Sequence, residues 1–147
     1  MNAFELGTDG PTLIIVAVDG SPTSLRAGAY AAGLARRQGA RLLAVHVVHP
    51  PAAAALLPSA AAMVAQAGEE VAEDLRAQVA VAVTERGIEV DFLAVHGDPF
   101  TELARVAGEQ RADAVVVGAS THTGHRLIGS LAVRLVRAGP WPVTVVP

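Results

Sequence analysis

The chain predicts an α/β fold: one domain built on a doubly wound, five-stranded parallel sheet with helices on both faces. Three observations carry this. Apolar, β-branched runs alternate with helical patterns from Thr12 to Pro147. Turn and cap residues punctuate the passages from strand to helix, as in DGSP at 19–22, GDP at 97–99 and GS at 129–130. The length, 147 residues, is that of one domain with a sizeable core.

Taken in order, Thr12–Val18 is a continuous apolar run, the pattern of a strand buried on both faces. Ser21 is a good N-cap and Pro22 suits the first helical position, so a helix is expected to Gln38, closed by Gly39. Leu25, Ala29, Ala32 and Ala35 form its expected apolar stripe. Arg41–Val48 is the second strand. Pro50 and Pro51 end it, and Ala52–Pro58 carries no structural signal. A long helix follows, capped by Ser59 and running to Arg86, with Val64, Ala67, Val71, Leu75, Val79 and Ala82 at helical spacing. Ile88–Val95 alternates apolar and acidic residues, the period of a partly exposed edge strand. Asp98 and Pro99 open a third helix, with Phe100, Leu103, Ala104 and Ala107 on one face. Ala114–Val117 is apolar throughout and reads as central. A last helix covers Ser130–Ala138, Gly139-Pro140 stops it, and Pro142–Val146 is the final strand.

The bulk numbers exclude several classes. Net charge is −3 with only 11 Lys and Arg, so no dense basic patch for nucleic acid exists. Cysteine is absent, which excludes disulfides and thiolate metal sites. No basic region precedes an apolar core at the N-terminus, and no apolar run reaches the length that spans a bilayer. A cytoplasmic protein that meets neither nucleic acid nor membrane is expected.

In a doubly wound sheet, ligands bind beyond the carboxyl ends of the strands. Asp19, Val47, Gly97 and Gly118 all lie at or just past such ends. The stretch from Gly118 to Ser130 is a glycine-bearing loop feeding a helix N-terminus, where free N–H groups and the helix dipole suit anionic oxygen. A nucleotide or phosphate site is expected. No catalytic constellation accompanies it. Ser120, Thr121 and Thr123 lie near His122 and His125, but no carboxylate is placed to orient a base, and no P-loop lysine occurs. His122 and His125 lack further ligands nearby, so no metal site is assigned. His46 and His96 are expected to be packed and hydrogen-bonded, and His49 to face solvent. Asp19 has a plainer alternative, tightening the turn before the first helix.

At VAVDGS, LLAVHVV, HGDPFTELARVA, DAVVVGAS and GSLAVRLVRAGPWPVTVVP the chain resembles the universal stress protein family, over residues 12–147. The resemblance implies the strand order 3-2-1-4-5 of an adenine nucleotide alpha hydrolase-like fold. It also implies a homodimer paired through the last strand, here Pro142–Val146. Some members bind ATP and carry glycine, two residues, glycine, nine residues, glycine, then Ser or Thr. Gly118 and Gly129-Ser130 keep the outer elements. Thr121 stands in place of the second glycine, and the loop is two residues shorter, with Gly124 inside it.

The resemblance implies that Ala17, Val18 and Asp19 line the adenine and ribose side, with the Asp19 carboxylate on a ribose hydroxyl. Val47 would meet the adenine edge, and Gly97 would allow close approach beside it. Gly118, Gly129, Ser130 and Leu131 would offer N–H groups to phosphate. Val117, Thr121, Gly124 and Ala132 complete the expected cofactor-binding set. Apart from the resemblance, His125 and Arg126 lie in the loop sequence and are expected to help neutralise charge. The expected function is a small stress-response protein that binds ATP with Mg²⁺ and signals to an unidentified protein partner. The alternatives are a nucleotide-free member acting through dimerisation and protein contacts, which the shortened loop favours, and a weak ATP hydrolase.

Overall fold

The computed structural model describes residues 10–50, 56–120 and 129–147. Nine elements follow one another: β1 (Leu13–Ala17), α1 (Pro22–Gln38), β2 (Arg41–Val48), α2 (Pro58–Arg86), β3 (Val90–His96), α3 (Pro99–Glu109), β4 (Ala114–Gly118), α4 (Ser130–Ala138) and β5 (Val143–Val146). The strands form one parallel sheet in the order β3-β2-β1-β4-β5. The expected order is therefore the observed one. The alternating strand β3 is an edge, and the wholly apolar β4 lies inside between β1 and β5.

Alternation along each strand divides the core in two. Leu13, Ile15, Leu43, Val45, Val115 and Val117 face α3 and α4, where Leu103, Val106 and Leu135 meet them. Ile14, Val16, Val18, Leu42, Ala44 and Val116 face the other way, onto Ala27, Ala31 and Ala35 of α1 and Leu75 of α2. Each fully buried large side chain contributes about 1.5–3 kcal/mol to this arrangement. Among the described residues, no helix is long and apolar enough to cross a membrane.

Three local expectations change. The buried stripe of α1 is Thr23, Ser24, Ala27, Ala31 and Ala35, whereas Leu25 is 45% exposed and Ala29 is exposed. Docking of the first turn against β4, described below, sets that rotation. The inner stripe of α2 passes through Val64, Gly68, Ala72, Leu75, Val79 and Ala82, leaving Ala67 and Val71 outside. Alanine is so frequent in α2 that two neighbouring stripes look alike. The helix also starts with Pro58 at its first turn, after Leu57 and without a side-chain cap, so Ser59 is not its cap. Proline's fixed φ makes the first turn its natural place. Ile88 and Glu89 precede β3, which extends to His96.

Two features fix the end of the sheet away from the strand C-termini. Asp113 Oδ2 accepts from the Thr12 N–H at 2.9 Å, the Thr12 hydroxyl at 2.9 Å and the Leu13 N–H at 3.0 Å. One carboxylate thus clamps the start of β1 to the start of β4. At the start of β5, the Trp141 ring lies over Gly139, occupying the space that any side chain there would need. The Gly139 N–H closes α4 on the Leu135 carbonyl at 3.0 Å.

Partial burial raises the pKa of Asp113, but the donors from Leu13 and Thr12 outweigh it and hold the carboxyl below 3.8. A carboxyl depressed in the fold stabilises above its unfolded pKa and loses that contribution as pH falls through the folded value. Asp113→Ala is therefore expected to cost about 1 kcal/mol near neutral pH, a discounted figure because the group is exposed. The difference should narrow below pH 3.8. Denaturant unfolding of both proteins across that range checks it.

Candidate functional site

Because every strand runs the same way, all five C-terminal ends open onto one edge of the sheet. A cavity of about 490 Å³ lies there, within the roughly 300–1,000 Å³ usual for small-molecule sites. Ala17, Val45, Val47 and Val117 line its floor. The first turns of α1 and α4 form two walls, with Pro99 and Leu103 of α3 completing the lining.

The walls stand close because of Gly118. A Cβ at this position would lie 2.6 Å from the Thr23 carbonyl carbon and 2.7 Å from the Ser24 nitrogen. No real side chain tolerates that against backbone atoms. Gly118 is thus required by the seating of α1 on β4, a role separate from any ligand. It also buries Thr23 and Ser24, polar residues 3% and 4% exposed.

The turn after β1 is held by its own polar groups. Asp19 Oδ1 accepts from the Ser21 N–H at 2.8 Å, and the Asp19 N–H donates to Ser24 Oγ at 3.2 Å. Gly20 takes φ +85°, the left-handed conformation that glycine adopts freely. Partial burial pushes the Asp19 carboxyl up, but hydrogen bonds from Ser21 and Ser24, with the nearby His46, bring it below 3.8. Asp19 is therefore a carboxylate at neutral pH, exposed at the cavity and with Oδ1 committed to the turn. The plainer reading of Asp19 is true, and its place on the cavity wall is true as well.

The three helix N-termini that line the cavity differ. Ser21 Oγ caps α1 by accepting from the Ser24 N–H, and Asp98 caps α3 by accepting from the Thr101 N–H. At α4 the cap is Gly129, with no side-chain hydrogen bond. Its first helical bond runs from the Val133 N–H to the Gly129 carbonyl at 3.2 Å. The N–H groups of Ser130, Leu131 and Ala132 precede that bond, and all three residues line the cavity.

Of the expected residues, Ala17, Val18, Asp19, Val47, Val117, Gly118, Gly129, Ser130, Leu131 and Ala132 come together around this one cavity. Gly97 does not. It ends β3 at φ +145°, donating to the Val48 carbonyl at 3.1 Å and accepting from His49 Nδ1 at 2.9 Å. Thr121 and Gly124 lie outside the described residues, as do His122, His125 and Arg126. Sequence reasoning missed Ser21, Thr23, Ser24, Pro99, Leu103, Ala119 and Ser120 as lining residues. Paired hydroxyls on the inward face of a first turn are the available signal, and of that segment only Ser21 is read, as a cap. His46 is buried as expected, at 6% exposure. His96 is hydrogen-bonded to Glu69 at 2.7 Å but exposed.

Gly118→Ala is expected to destabilise the fold by about 1–3 kcal/mol, as overpacking against backbone does. Thermal or urea unfolding of the unliganded protein checks this, and an unchanged stability would contradict the seating described.

Comparison with known proteins places this architecture. A universal stress protein from Thermus aquaticus is 33% identical over 135 residues, covering 90% of this chain and 96% of its own. The solved structure of the universal stress protein UspA from Lactobacillus plantarum superposes with a TM-score of 0.79 at 24% identity, covering 92% of this chain and 97% of that one. A universal stress protein solved in complex with cAMP superposes with a TM-score of 0.69 at 25% identity, over 93% of this chain and 97% of its own. The Universal stress protein family model matches residues 12–147, and the chain belongs to that family.

Proposed function

We propose that this chain is a single cytoplasmic universal stress protein domain that binds an adenine nucleotide, ATP accompanied by Mg²⁺, in the cavity at the strand C-termini. The observation that carries the reading is the first turn of α4, which has no side-chain cap and whose Ser130, Leu131 and Ala132 line a cavity beside the side-chain-capped first turns of α1 and α3. Such a turn suits phosphate oxygen. The apolar floor of Ala17, Val45, Val47 and Val117 suits a base, and the family relative solved with cAMP supports an adenylate. Ser120 and Ser130 add their hydroxyls to the lining.

In this reading Asp19 accepts from a ribose hydroxyl through the oxygen that the turn leaves over. Ser130 adds its hydroxyl to the N–H groups at the phosphates, and Val47 abuts the base. Asp19 is the sole acidic residue among the described lining residues. Hydrolysis usually draws on more carboxylates than that to hold metal, so binding and signalling to a protein partner is the function proposed. A homodimer through β5 belongs to the same proposal. That strand is an apolar sheet edge with only β4 beside it, and exposed edges invite pairing.

The test begins with purified protein, denatured and filtered, and identification of the released small molecules by mass spectrometry. Adenylate near one per chain supports the proposal. Added ATP should stabilise the empty protein by about 2.7 kcal/mol at one hundred times its Kd. Asp19→Asn should weaken binding by roughly tenfold, the loss of one charge-assisted hydrogen bond. A protein that purifies empty and shows no calorimetric heat with Mg-ATP overturns the proposal in favour of a nucleotide-free member.

A further inference from the structure

We propose that His46 is a positioning residue for the adenylate site: its imidazole, from behind the sheet, sets where the Val18–Asp19 turn stands at the cavity. The inference rests on the adenylate reading above for its consequence, and on geometry alone for its mechanism.

His46 lies on β2 between Val45 and Val47, whose side chains line the cavity. Alternation along the strand turns the His46 side chain to the opposite face, toward α1 and α2. It does not line the cavity, so it acts only through another group. Its Nδ1 lies 2.8 Å from the Val18 carbonyl oxygen, and the residue is 6% exposed. A carbonyl only accepts, so Nδ1 carries the proton.

The position of this bond explains its use. Regular pairing of β1 with β2 ends at Ala17 and Val45. One more rung follows, from the Val18 N–H to the Val45 carbonyl at 2.9 Å. The Val18 carbonyl then takes its hydrogen bond from a side chain as the strand leaves the sheet. The next residue is Asp19, whose carboxylate and N–H are tied to Ser21 and Ser24. The turn is thus held to α1 on one side and to β2 on the other. The imidazole is the side-chain half of the β2 anchor. Without it, the Val18–Asp19 peptide is held only through the Asp19 N–H on Ser24 Oγ, and the turn loosens from β2.

The test uses His46→Leu, which keeps an apolar shape and removes the donor, and His46→Asn, whose amide nitrogen matches the position of Nδ1. Amide exchange by NMR is read at Asp19 and Ser21, and ATP affinity by calorimetry. The leucine variant should exchange faster at both amides and bind ATP about tenfold more weakly, the loss expected of one buried hydrogen bond. Protection within β1 and β2 should hold, and the asparagine variant should recover most of both losses. A leucine variant with unchanged exchange, or an asparagine variant that behaves like leucine, overturns the proposal. If the parent protein binds no adenylate, the reading of the cavity has failed, and the exchange measurements still decide the role of His46. If the leucine variant does not fold, the imidazole ¹⁵N spectrum of the parent protein decides instead. A protonated Nδ1 supports the proposal, and an unprotonated one overturns it.

Discussion

The site depends on how near β4 comes to the first turn of α1. Gly118 lets the Thr23 and Ser24 backbone approach to a distance that no side chain permits. That approach rotates α1 so that Ala27, Ala31 and Ala35 face the sheet, buries two hydroxyl residues, and brings the α1 wall over Val117. A larger residue at Gly118 pushes the wall outward and, with it, the turn that carries Asp19. The shape of the cavity is therefore set by packing within the fold, before any ligand enters.

Polar groups at this edge are then divided between structure and ligand. Ser21, Ser24 and Asp98 spend their hydrogen bonds on the chain itself, closing α1 and α3 and tightening the turn after β1. Arg134 reaches from α4 to lie 4.2 Å over the Phe100 ring and 3.7 Å from Asp98, joining the two helices beside the cavity. The Asp98 carboxyl is held below the usual range chiefly by the Thr101 N–H. Among the described residues, the first turn of α4 has no side-chain cap. A binding site arises here by omission, where a glycine cap withholds the side chain that α1 and α3 supply.

Much of this was legible in the sequence, for identifiable reasons. β-branched runs bounded by cap residues are unambiguous, so Thr12–Val18 and Ala114–Val117 could be placed within a residue or two of β1 and β4. Ten of the thirteen expected binding residues share one cavity because strand ends in a parallel sheet must converge. Gly97 escaped because proximity to a strand end does not say which way a turn leaves it. The α1 and α2 stripes were misplaced because alanine carries little periodic contrast. Thr23 and Ser24 carry no signal of their own, since nothing within a short stretch announces a glycine almost a hundred positions away. His46 read correctly as a packed histidine, but its partner, a carbonyl on another strand, has no sequence signal at all.

Trp141 is the one tryptophan of the chain. It sits over Gly139 at the start of β5, the end of the sheet opposite the cavity. The two places are linked by α4, whose first turn lines the cavity and whose last turn ends beneath the indole. Tryptophan emission of this protein therefore reports on one corner alone. Quenching or a spectral shift of Trp141 on ligand addition would be an optical signature of change transmitted to this far end, through α4 or at β5, not of contact between ligand and indole.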